Sequence, residues 1–186
     1  MRHYIDIRLR PDPEFVETQL MNALFSKLHR AFVLLKNEEI GISFPDFAPK
    51  RPLGQRLRLH GSYDSLERLR SLNWLVGMHD HVTVTDTLET PTLSQYRTVR
   101  RVQVDSNPER LRRRYLKRHP EKTEAEVTEL YHEYEKRTDL PFVSVRSQST
   151  GQPFRLFINH GELLDSTQAG NFNCYGLSPT ATIPWF

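Results

Sequence analysis

The sequence predicts an α+β fold built in two unlike halves, and three observations carry that reading. Residues 1–92 alternate short runs of apolar period two with longer runs of helical period. The order of those runs is βαββαβ, the order of a ferredoxin-like unit. Residues 93–186 hold shorter, less regular elements around one strongly basic helix. The expected architecture is a ferredoxin-like βαββαβ N-terminal domain over 1–92. A smaller, irregular C-terminal domain over 93–186 carries an arginine-rich helix at about 107–119.

Each element has a local reason. In 3–10, Ile5, Ile7 and Leu9 share one strand face, and Tyr4, Asp6 and Arg8 share the other. Pro11 and Pro13 punctuate the turn. A helix to about residue 36 follows, with Val16, Leu20, Met21, Leu24, Phe25, Leu28 and Phe32 as its apolar stripe. Residues 41–47 (GISFPDF) read as a second strand, and a basic loop with Pro49 and Pro52 leads to a third at 55–60. Residues 64–75 read as a helix and 81–88 as the fourth strand. Past a linker at 91–94, 96–104 is a strand candidate. Ser106 and Glu109 have capping-box spacing around Pro108, and Pro120 stops the helix they open. Thr123 and Glu126 repeat that spacing for a more acidic helix to about residue 137. Residues 142–147 and 154–159 read as strands around Ser149, Thr150, Gly151 and Gln152.

Composition excludes several classes. Apolar residues make up 37% of the 186, enough for a core, and no apolar run approaches the ~20 residues of a membrane span. The chain reads directly into a strand with no signal-peptide pattern. Its single cysteine, Cys174, rules out an internal disulfide and a multi-cysteine zinc site. The expected setting is cytoplasmic, with no membrane partner. Formal net charge is only +3, but 6 of the 26 basic residues are lysine and the remaining 20 are arginine. Arginine's planar fork suits phosphate and guanine and stacks on bases, so the balance points towards nucleic acid rather than a merely basic protein.

The strongest chemical signal is the basic helix. Arg110, Arg113, Arg114 and Lys117 fall at i, i+3, i+4 and i+7 and share a face, with Arg118 at its edge. Like charges at that spacing repel, so the face is either solvated or compensated by an anion such as RNA phosphate. Arg101 and Gln103, two apart, are expected to share a strand face, and these residue types pair with guanine and adenine. His29 borders the long helix's apolar stripe, as a packing residue or as a general base. The run from Ser147 to Thr150 is either turn chemistry or part of a site. Phe154, Tyr175, Trp185 and Phe186 are core or stacking residues. His79 and His81 have same-face strand spacing but no further ligands, so no metal is expected. No phosphate loop, dinucleotide fingerprint or G-x-S-x-G elbow is present, and no cofactor is expected.

These fragments, taken in order, resemble one family across essentially the whole chain. HYIDIRLRPDPEF, LFSKLH, GISFPDF, SNPERLRRR, LPFVSVRSQSTGQPFRLFI, CYGLS and the closing PWF are similar to the CRISPR repeat-processing endoribonucleases of subtype I-F systems, the fourth member of the Csy set. The resemblance implies a metal-independent enzyme that cuts the CRISPR repeat RNA hairpin at the 3′ base of its stem. It implies 2′-hydroxyl attack giving a 2′,3′-cyclic phosphate, retention of the product, and partnership with other subunits of the type I-F surveillance complex. Position by position it implies His29 as catalytic, Ser147 as the serine that orients the attacking hydroxyl, and Tyr175 as the neighbour that orients His29. It implies Ser149 and Thr150 near the cleaved nucleotide, and Arg101 and Gln103 as base readers. Arg114 and Arg118 fall on groove-reading positions, Arg110 and Arg113 on phosphate positions, and Phe154 beneath the terminal base pair. The chain departs from the family pattern in the loop 48–53, in the acidic helix after Pro120, and at Asn159. The competing expectation is a non-catalytic RNA-hairpin-binding subunit in which His29 only packs.

Overall fold

Alternation in the first segment builds β1 (His3–Leu9), with Ile5, Ile7 and Leu9 buried on one face. The computed structural model describes residues 1–48, 52–92, 94–103, 108–127, 140–147 and 150–186, with the backbone alone over 108–111. Helix α1 (Glu17–Leu35) buries Leu20, Met21, Leu24, Phe25, Leu28, Ala31 and Phe32, each larger side chain contributing about 1.5–3 kcal/mol over its exposed state. Val16, expected in that stripe, is instead 62% exposed, because it is the N-cap and has extended backbone. Lys36 ends the helix in the left-handed region at φ 51°.

Three sequence boundaries move, each for a visible reason. Strand β2 is only Gly41–Ser43: Pro45 has no N–H for the ladder, and a turn follows. After β3 (Arg56–Gly61), helix α2 (Tyr63–Ser71) opens on a reciprocal Ser62–Ser65 cap and stops short of residue 75, with Asn73 at φ 46°. The strand expected at 81–88 divides into β4 (Val82–Val84) and β5 (Leu88–Glu89). The antiparallel sheet runs β2-β3-β1-β4, with β5 also on β1. This is the ferredoxin-like arrangement, and both helices pack on its strands.

The second sheet is also antiparallel. It contains β6 (Gln95–Val102), β7 (Phe142–Arg146), β8 (Pro153–His160) and β9 (Thr182–Trp185), in the order β7-β8-β6-β9. The sequence gives no sign of β9, which is short and contains Pro184. Its place at the sheet edge accommodates a residue with no N–H to donate. The boundary expected near residue 92 separates the two sheets, yet both belong to one compact unit, Met1–Val102 with Leu140–Phe186. Within that unit β2 touches β9 and α1 touches β7.

Gln103–Asp139 forms the other unit. It holds α3 (Pro108–Arg118) and a helical turn at 124–127. Thr123 and Glu126 cap each other as their spacing predicts, by the Thr123 N–H to Glu126 Oε2 at 3.0 Å and the Glu126 N–H to Thr123 Oγ1 at 3.4 Å. Ser106 and the rest of the expected acidic helix lie outside the described residues.

A buried ion pair ties the first sheet to the chain's last residue. Arg58 is 4% exposed and donates from Nε and Nη2 to the two Asp6 oxygens at 2.6 and 2.8 Å. It also donates to the Phe186 oxygen at 2.9 Å and lies over the Phe186 ring at 3.9 Å. Removing Arg58 strips Asp6 of both short bonds, leaves it only the more distant Arg56 at 3.7 Å, and empties the space against Tyr4 and Phe186. Arg58→Ala is therefore expected to lower the unfolding free energy by about 3–5 kcal/mol in urea titrations; a loss under about 1 kcal/mol would contradict this role.

Candidate functional site

His29 sits two turns from the end of α1, on the edge of the stripe that α1 buries, and is itself half-buried. Its Nδ1 lies 2.8 Å from the Cys174 carbonyl oxygen. A carbonyl only accepts, so the neutral ring carries its proton on Nδ1 and keeps the lone pair on Nε2. The Tyr175 ring stacks on the imidazole, with centroids 4.2 Å apart and planes within 16°. Phe25 lies nearly parallel to Tyr175 on α1 at 6.3 Å. An aromatic stack of this kind contributes about 0.5–1.5 kcal/mol and fixes the ring plane. Burial pushes the Tyr175 phenol up, with the adjacent Cys174 adding to the rise and the Arg101 guanidinium opposing it.

Ser147 reaches the same place from the second sheet. It follows the last residue of β7 and closes the β7–β8 connection: its N–H donates to the Gln152 oxygen at 2.9 Å. The Gly151 N–H donates back to the Ser147 carbonyl at 2.8 Å, and Gly151 has φ 68°, a region that favours glycine. The Thr150 N–H donates to Ser147 Oγ at 3.3 Å. His29 and Ser147 both line a cleft of about 550 Å³ between α1 and β7. Asn22, one more lining residue, accepts the Ser144 N–H on Oδ1 at 2.9 Å and so binds helix to strand. Thr150 is exposed on the connection, and Ser149 lies outside the described residues.

Arg101 and Phe154 are brought together on β6 and β8, with the guanidinium carbon 5.6 Å from the ring centroid. Gln103 does not share that strand: β6 ends at Val102, opposite Phe157, where the chain leaves the sheet for the second unit. In that unit Arg113, Arg114, Lys117 and Arg118 are exposed on α3 and meet no carboxylate among the described residues. Arg110 lies on the same helix. Arg112 is paired, 3.3 Å from Glu124.

Among the described histidines, His60 and His81 serve the fold. His79 and His81 lie on a single 3-10 turn, not on a strand. His81 meets Asp12 at 2.8 Å. Ser43 Oγ lies 2.8 Å from His60 Nε2, but both are buried in the core, out of a substrate's reach. Sequence reasoning missed Asn22 and the Cys174 carbonyl. Asn22 had a signal, since Asn22, Ser26 and His29 fall at i, i+4 and i+7 as a polar stripe; a backbone carbonyl has none.

The whole chain is similar to proteins of one family. The family model described as CRISPR-associated protein (Cas_Csy4) matches residues 4–186. A CRISPR-associated endonuclease Cas6/Csy4 of Pseudomonas aeruginosa (strain UCBPP-PA14) is 50% identical over 187 positions, covering all of both chains. One of the same name from Escherichia coli (strain UTI89 / UPEC) is 46% identical over 186 positions, again covering all of both.

The carbonyl contact makes a spectroscopic prediction. Two-bond proton–nitrogen correlation spectra are expected to show neutral His29 as the Nδ1–H tautomer. A proton on Nε2 would mean that the Cys174 contact does not set the ring.

Proposed function

The chain belongs to the Csy4 family of CRISPR-associated proteins and is an endonuclease, and we propose that it cuts CRISPR repeat hairpins at the 3′ base of the stem by internal attack of the RNA's own 2′-hydroxyl. The observation that carries the reading is the pairing of a tautomer-fixed His29 with Ser147 in one cleft.

His29 Nε2 takes the 2′-hydroxyl proton. The 2′ oxygen bonds to phosphorus, and the bond from phosphorus to the 5′ oxygen of the next nucleotide breaks. The departing 5′ oxygen takes a proton from solvent, so the products are a 2′,3′-cyclic phosphate and a 5′-hydroxyl. Ser147 holds the ribose so that oxygen and phosphorus are aligned, and Tyr175 holds the imidazole. The nucleophile is part of the substrate, so the reaction has no need to generate hydroxide on a metal. A positioned base contributes about 10²–10⁴-fold, and alignment contributes at least as much. Phe154 stacks under the last base pair, while Arg101 and Gln103 read bases at the foot of the stem. Ser149 and Thr150 place the cleaved nucleotide. On α3, Arg110 and Arg113 contact phosphates, and Arg114 and Arg118 enter the groove. Cutting leaves the stem and its phosphates intact, so the contacts survive and the product stays bound as the enzyme joins the type I-F complex.

These roles make three predictions. In EDTA, His29→Ala is expected to cut at least ~10²-fold more slowly and to hold the hairpin with nearly unchanged affinity. Parallel loss of binding in filter assays would make His29 structural. Arg101→Ala is expected to lose about 1–3 kcal/mol of discrimination between cognate and base-substituted hairpins. Arg113→Ala is expected to weaken all hairpins alike and to flatten the salt dependence. Undiminished discrimination by Arg101→Ala would remove it from the readers.

A further inference from the structure

His29 belongs to two environments. On one side are Tyr175, Arg101 and Phe154: the imidazole stacks on Tyr175, Arg101 acts on the Tyr175 phenol, and Arg101 lies over Phe154. The proposed hairpin site uses all of these. On the other side is the cleft between α1 and β7, which His29 and Ser147 line but Tyr175, Arg101 and Phe154 do not. The bond that breaks has RNA on both sides. With the stem assigned to the first environment, the cleft is left for the strand that departs.

The lining suits that strand. Arg30 stands on the α1 wall and Arg146 on the β7 wall; both are exposed, and neither meets a carboxylate among the described residues. No Asp or Glu is among the described lining residues, so their fixed charge is entirely positive. Arg56, Arg58, Arg68 and Arg70 in the same unit each meet an acid. Arg30 and Arg146, like the exposed Arg8, Arg10 and Arg100, meet none among the described residues, but only these two of the five line the cleft. Asn22 and Ser26 of α1 and Ser144 of β7 line the same cleft. Ser26 Oγ donates to the Asn22 carbonyl and Asn22 Oδ1 accepts from Ser144, so this floor is braced. A cationic, polar groove with no acidic wall fits a phosphodiester chain better than an apolar or cationic ligand.

We infer that the α1–β7 cleft binds the single-stranded RNA 3′ of the cut, with Arg30 and Arg146 as its phosphate contacts. The inference rests on the hairpin reading above and extends it to the leaving strand. It makes Arg30 and Arg146 binding residues for the segment that carries the 5′ oxygen away.

The test uses the full chain and two probes: the hairpin ending at its stem, and the same hairpin with a short single-stranded 3′ extension and 2′-deoxyribose at the cut site, which blocks cutting. The extension is expected to tighten binding by wild type on the order of tenfold, the scale of one or two charge-assisted contacts. Arg30→Ala and Arg146→Ala each lose most of that gain, and the double variant binds the two probes alike. The salt slope for the extended probe falls by about 0.7 per lost phosphate contact. Arg146→Lys keeps more of the gain than Arg146→Ala, because the charge remains. Arg68→Ala, which removes a cation paired with Glu39 on α2, keeps all of it. An extension that adds nothing to wild-type binding, or a gain that survives the double variant, would overturn the inference. The unextended hairpin separates the two levels. If it is held tightly while the extension adds nothing, only the cleft assignment fails; if it is held no better than unrelated RNA, the hairpin reading fails as well.

Discussion

Helix α1 packs its apolar stripe into the core while Asn22 on its flank accepts a backbone N–H from β7, a strand of the other sheet. That double engagement positions the site. His29 lies near the border of the buried stripe, where the backbone is held by core packing and the ring still reaches a cleft. Ser147 comes from the end of the strand that Asn22 grips, so helix and strand cannot shift independently without breaking the Ser144–Asn22 bond. The third support comes from the 173–177 turn, where the Asn173 side chain accepts the Tyr175 and Leu177 N–H groups at 2.8 and 3.2 Å. This turn presents the Cys174 carbonyl and the Tyr175 ring together.

Arginine works in two ways in this chain. Where it builds the fold it is paired: Arg58 with Asp6, Arg56 with Asp46 at 2.7 Å, Arg70 with Glu67 at 3.0 Å. Arg113, Arg114 and Arg118 on α3, and Arg30 and Arg146 in the α1–β7 cleft, meet no described acid, although like charges one turn apart on a helix repel. A protein that neutralised all its arginines would be easier to fold and would bind RNA poorly. In the proposed function the counter-charge of these arginines arrives with a phosphodiester chain.

Most of the first sheet was legible because period two in β1 and β3 and period 3.6 in α1 are local properties. So were the Ser147 to Gly151 turn chemistry and the charge face of α3. What sequence hid was long-range. Arg58 alternates with Leu57 and Leu59 and so reads as solvent-facing, yet it packs against the Tyr4 and Phe186 rings. Nothing near residue 58 announces the residue 128 positions away. Strand β9 exists because Gln95, Tyr96, Arg97 and Thr98 offer it a ladder, and its own four residues are poor evidence for a strand. Arg101 and Gln103 seemed to share a face because spacing alone ignores where a strand stops. His29 was ambiguous by periodicity; its partner is a main-chain oxygen 145 positions distant, which no side-chain pattern encodes.

The central claim is that the RNA supplies the nucleophile and His29 only moves its proton. Mass spectrometry of the two fragments made from the repeat hairpin in EDTA tests it most directly. The account predicts an upstream fragment ending in a 2′,3′-cyclic phosphate and a downstream fragment beginning with a 5′-hydroxyl. An upstream 3′-hydroxyl with a downstream 5′-phosphate would contradict it, because those ends require water as the nucleophile and a different bond to break.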